Sequence, residues 1–170
     1  YLTVSIATFI FYKIFSAEFF ISSDSIRYLN SGLNLLYHSV YSYASFDQKF
    51  EPSPSLGFGG LFTAIELALA GILDQETEKS FICILQNGQV AANQNCNLNL
   101  YGLRFLYSIE ILSFFLIMRK IALEMFGSRS VANFTIFIPI LFSDIFNFAS
   151  SILTEPSYLF VVSALIYFRV

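Results

Sequence analysis

The sequence predicts an all-α fold: a polytopic transmembrane helical bundle with amphipathic juxtamembrane helices on its external side. Three observations carry this. Hydrophobic residues make up 56% of the 170 residues, and mean hydropathy is +0.66. Charged residues make up 12%, about half the roughly 25% usual in soluble domains. Apolar stretches approaching the roughly 20 residues that cross a bilayer recur along the chain. The net charge of −3 offers no basic footprint, so no nucleic-acid partner is expected. The chain opens on Tyr1 and ends at Val170 within an apolar run. Residues 1–170 are therefore read as a fragment, or a cut-out domain, of a longer membrane protein.

Spans are expected at about residues 1–20, 98–118, 131–153 and 157–170. The first holds Lys13 and Glu18, the second Arg104 and Glu110, the third Pro139 and Asp144. Between the first two lies an external loop, residues 22–97. Within it, Ile26, Leu29, Leu33 and Leu36 recur at helical spacing, with Arg27, Asn30, Ser31 and Asn34 between them. That pattern predicts an amphipathic helix with one wet face, lying on the membrane surface. Ser22, Ser23 and Asp24 supply its start. Asp47 to Ser55 reads as a turn-rich loop. Leu56 to Leu73 is apolar but short, opens on a glycine cluster and holds Glu66. It is read as an interfacial helix rather than a span. Asp74 to Lys79 is charged, and Gln86 to Asn99 is rich in Asn and Gln.

Lys and Arg favour cytoplasmic loops. Arg119, Lys120 and Arg129 therefore put the connection 119–130 inside. Residues 22–97 and the connection 151–156 then share the external face, which places Asp24 and Glu155 on the same side. Were Leu56 to Leu73 to span, these acids would be separated. The sequon Asn133-Phe-Thr135 falls at the cytoplasmic end of a span and is discounted. Cys83 and Cys96, thirteen positions apart, fit either a disulfide in an oxidising compartment or two free thiols.

Several residues carry chemistry. Asp24, just past a span, can act as a general base or simply satisfy backbone N–H groups at a helix start. Glu155, before Pro156, can bind a substrate or metal, or act as a capping acid beside a helix N-terminus. Arg104 can hold a lipid phosphate or snorkel to the headgroups. Glu66, Glu110 and Asp144 lie in apolar stretches, where ionisable groups face a cavity or a partner; Glu110 is nearest mid-span. His38 is the sole histidine and cannot build a multi-histidine metal site.

The ordered set of motifs resembles the GT-C membrane glycosyltransferases that use polyprenyl-phosphate sugars, such as protein O-mannosyltransferases and aminoarabinose transferases. The matching strings are Asp24-Ser-Ile-Arg-Tyr28-Leu, Gly32-Leu-Asn34-Leu-Leu and Val40-Tyr41-Ser. Glu51-Pro-Ser-Pro before an apolar helix, Phe126-Gly127 after a basic pair, and Leu153-Thr154-Glu155-Pro156 follow in order. Ser39 departs from the family's usual Gly, and Pro54-Ser-Leu-Gly57-Phe58 is a degraded form of its Pro-Gly-Tyr-Pro type string. The resemblance implies an inverting transfer from a polyprenyl-phosphate-sugar donor to a hydroxyl of a protein, lipid or glycan acceptor, at the external face of a lipid bilayer. It implies Asp24 as base, Glu155 near the donor phosphate or a divalent cation, and Arg104 and Tyr28 as substrate contacts; His38 is read on its own as a substrate or polar contact, or else a surface residue. The expected setting is a bacterial plasma membrane or, alternatively, the endoplasmic reticulum. Two rival readings remain open: a transporter segment using Glu66, Glu110 and Asp144 along a pathway, and a non-catalytic membrane scaffold.

Overall fold

The computed structural model describes residues 2–17, 21–45, 57–141, 146, 152 and 155–169. The described residues form seven helices and no strand: α1 (Leu2–Ser16), α2 (Ser23–His38), α3 (Gly57–Leu73), α4 (Gln75–Asn95), α5 (Tyr101–Phe126), α6 (Arg129–Leu141) and α7 (Glu155–Tyr167). The all-α expectation therefore holds. Among these residues no helix is both long and apolar enough to cross a membrane. Helices α1, α6 and α7 have 15, 13 and 13 residues, against the roughly 20 a span needs. Helix α5 has 26 residues but holds Arg104, Glu110, Arg119, Lys120 and Glu124. Asp144, Glu18 and the segment Asp47 to Ser55, read above as a turn-rich loop, lie outside the described residues.

Helix α5 is the central post. Helix α1 runs antiparallel beside it, with Phe15 stacked on Tyr101 and Phe11 against Phe105. Ile6, Ile10 and Ile14, four apart, form the buried face of α1. Leu103, Tyr107, Ile111 and Phe115 repeat the same spacing on α5. Helix α6 returns along α5 after a tight break at Gly127, whose φ of 63° is left-handed and whose N–H caps the Leu123 carbonyl. Helix α7 runs parallel to α5: Ser157 lies at the level of Glu66, and Lys120 lies 4.5 Å from the Tyr167 ring centre. Helices α2, α3 and α4 form a second layer against the first half of α5.

Helix α2 follows the sequence signals closely. Ser22 and Ser25 form a reciprocal capping box, each side-chain oxygen accepting the other's backbone N–H at 3.2 and 2.9 Å. The expected wet face is corrected in part. Ser31 and Asn34 are fully buried, because α3 and a returning strand of chain cover them. The Asn34 amide donates to the Ser42 and Ala44 carbonyls, both at 2.8 Å, and so pins residues 42–44 across α2.

Two sequence expectations change. The Asn- and Gln-rich segment, Gln86 to Asn99, is helical as far as Asn95, within α4. The disulfide between Cys83 and Cys96 and the buried Phe81 and Ile84 hold that helix in place. The second span was expected to end at Met118, but α5 continues to Phe126. Arg119 there donates to the Asn133 side chain of α6 at 3.0 Å instead of marking a loop. Between α3 and α5, Gly102 packs against the Ala70 carbonyl, and its N–H donates to Thr77 Oγ1 at 3.0 Å and Asp74 Oδ2 at 3.3 Å. Asp74 thus caps α4 and the first turn of α5 together.

Candidate functional site

The site is built where the start of α2 meets the chain entering α7. Ser25 Oγ donates to the Ile152 carbonyl at 3.1 Å, across 127 residues of sequence. Both groups are fully buried. This bond fixes Asp24, one residue before Ser25, at the same end of the molecule as Glu155, three residues after Ile152. The backbone places Glu155 at the first position of α7. Pro156 follows it, where a missing N–H costs nothing.

Ser22 performs the capping that Asp24 was offered for, so the Asp24 carboxylate is not tied to the helix start. It is 61% exposed and meets Arg27 at 4.0 Å. An exposed pair at that distance contributes little to stability. Asp24 is thus open to solvent.

Beneath α7, Glu66 of α3 is buried to 7% exposure and accepts a hydrogen bond from Ser157 Oγ. The Glu110 carboxyl of α5 lies within hydrogen-bonding reach of Glu66. Glu110 was expected nearest mid-span; the structure sets it beside the first turn of α7. Burial, then the neighbouring Glu110 charge, raises the Glu66 pKa well above the usual carboxylate range.

The other expected site residues fall elsewhere. Arg104 donates to the Phe15 carbonyl and, at 2.9 Å, to the Ala17 carbonyl. It closes the end of α1, whose last carbonyls lack helical donors. Tyr28, one turn beyond Asp24, packs against the apolar core. His38 is exposed at the opposite end of α2, about 21 Å along the helix from Asp24 at 1.5 Å per residue. An apolar groove of about 660 Å³ runs along α1, lined by Val4, Ala7, Thr8, Phe11, Tyr12 and Phe15. It contains none of the acids. Among the described residues no group of three or more His, Cys, Asp or Glu is gathered to hold a metal. Glu155 by itself supplies a single ligand.

Sequence reasoning missed Ser25 and Ser157, whose hydroxyls join distant segments. The one available signal was the serine density around each acid. No protein-family model, curated protein or solved structure matches this chain.

Proposed function

We propose that this chain carries the external acid pair of a membrane glycosyltransferase that uses a polyprenyl-phosphate sugar. The observation that carries the reading is the Ser25–Ile152 hydrogen bond, which sets the helix of Asp24 beside the start of α7. In the reaction, Asp24 takes the proton of an acceptor hydroxyl. The freed oxygen attacks the anomeric carbon, the bond from that carbon to the lipid phosphate breaks, and configuration inverts. Glu155 orients the donor from the helix start beside it.

Membrane embedding is supported by the low charge content and by the outer faces of the bundle. Val4, Tyr12, Phe134, Leu165 and Phe168 are 61–83% exposed on or beside α1, α6 and α7. Such an apolar exterior suits lipid contact. In this frame α1, α5, α6 and α7 enter the bilayer. The layer of α2, α3 and α4 lies at its external surface, where an oxidising compartment suits the Cys83–Cys96 disulfide.

The test is sugar transfer by the full-length chain from a labelled polyprenyl-phosphate donor. Asp24→Asn and Glu155→Gln each preserve shape and remove a negative charge. Asp24→Asn is expected to lower kcat by roughly 10²–10⁴-fold, the usual worth of a positioned base, while the fold is retained. Full activity in Asp24→Asn would remove the proposed base.

A further inference from the structure

Glu66 and Glu110 pose a problem of polar accounting. Glu66 Oε2 accepts from Ser157, but Glu66 Oε1 and Glu110 Oε2 are buried with no hydrogen-bond partner among the described residues. Two ionised carboxylates offer acceptors only. Facing each other in a dry site, they repel, and each unsatisfied oxygen is costly. A single proton relieves this. It turns one acceptor into a donor and halves the charge of the pair.

We propose that Glu66 and Glu110 bind one proton between them, and that this shared proton clamps α3 to α5 and holds the first turn of α7 through Ser157. The proton comes from solvent, and no covalent bond besides the new O–H is formed. Among the described residues no charge besides that of Glu110 bears on Glu66. From α5 the group facing Glu66 is Glu110, and from α7 it is the neutral Ser157 hydroxyl. From α2, Asp24 and Arg27 are exposed and lie against each other. From α4, Glu76 pairs with Lys79, and Glu78 accepts the Tyr37 hydroxyl. None of these α2 and α4 groups contributes to the Glu66 equilibrium.

The sign of the pH dependence follows. The folded pKa of Glu66 lies above its ordinary 4.5, chiefly through burial and then through Glu110. The stabilising contribution of the protonated pair is therefore full below about pH 4.5 and is lost as pH rises through the folded value. Its reach extends to Glu155, two residues before Ser157; that link alone rests on the glycosyl-transfer reading. Glu66 then acts as a positioning residue rather than a catalytic one.

Two readouts test the pair without any sugar donor, so they stand or fall independently of enzyme activity. The first is thermal unfolding of the full chain between about pH 5 and pH 8. Wild-type Tm is expected to fall by several degrees across this range, whereas Glu66→Gln, which carries a permanent donor, loses that dependence and matches the wild type at low pH. The second is infrared spectroscopy of the wild type, which needs no variant to fold. A protonated-carboxyl carbonyl band is expected at pH 7, disappearing on titration to high pH. A wild-type spectrum at pH 7 with no such band overturns the proposal. So does a Tm profile whose slope is unchanged in Glu66→Gln.

Discussion

Replacing Gly102 with alanine sets two physical effects against each other with opposite signs. Within a helix, Gly→Ala normally stabilises by about 1 kcal/mol. At this position an added Cβ would lie 2.7 Å from the Ala70 carbonyl oxygen, 2.9 Å from Asp74 Cβ and 3.2 Å from Thr77 Oγ1. The nearest atom is backbone and cannot rotate away, so α3 and α5 must separate by a few tenths of an ångström or more. Overpacking of this kind costs about 1–3 kcal/mol. Separation also stretches the two hydrogen bonds from the Gly102 N–H, worth about 1 kcal/mol each. Net destabilisation of about 2–3 kcal/mol follows. For a chain of 170 residues, that lowers Tm by about 5–10 °C. Thermal unfolding in detergent, followed by circular dichroism, measures it. Gly127→Ala is the control: it has open space around it but a left-handed φ, so its cost is about 1 kcal/mol of backbone strain. If Gly102→Ala raises Tm, the close packing of α3 on α5 is wrong.

Arg104→Lys is expected to lower stability by about 1–2 kcal/mol, because a single ammonium cannot serve the Phe15 and Ala17 carbonyls as a planar fork does. It should leave KM for the donor unchanged; a raised KM with unchanged Tm would place Arg104 on the phosphate instead. Replacing Cys83 and Cys96 together by serine opens a link spanning 13 positions, which chain entropy values at about 3 kcal/mol. Denaturant titration of oxidised wild type against the double variant checks this, and equal midpoints would show that the bridge does not form. Asp74 is held below its usual 3.8, chiefly by the Thr77 hydroxyl and against some desolvation. Its contribution is present above pH 3.8 and lost as pH falls through the lower folded value, so Asp74→Asn should flatten the acid limb of the stability profile.

Much of the layer at the end of the bundle was legible in the sequence. Helix α2 announces itself by serine capping chemistry and by Leu29 and Leu33 at helical spacing. Helix α3 is visible as an apolar run of the length the structure gives it. Helix α4 was not legible, since its Asn and Gln content resembles a loop, and its anchors are a disulfide and the packing of Phe81 and Ile84. The overrun of α5 was hidden because Arg119 and Lys120 read as loop charge, while Arg119 in fact finds Asn133 on α6. Asn34 looked solvent-facing because its partners, the Ser42 and Ala44 carbonyls, are backbone groups without a sequence signature. The acids themselves were visible one by one. Their surroundings were not, because the bonds that gather them run from Ser25 to Ile152 and from Ser157 to Glu66, across 127 and 91 positions. Local pattern carries no information about contacts at that range.

The central claim is that Asp24 and Glu155 share one end of the molecule and one side of a membrane. Paired cysteines test it most directly, as Asp24→Cys with Glu155→Cys in a chain whose native cysteines are already bridged. Intact cells would be treated with a short membrane-impermeant bifunctional thiol reagent, and the purified protein examined by proteolysis and mass spectrometry. The account predicts an intramolecular 24–155 cross-link formed from outside. Labelling of only one position from outside, with the other reacting after permeabilisation and no cross-link at any stage, contradicts it.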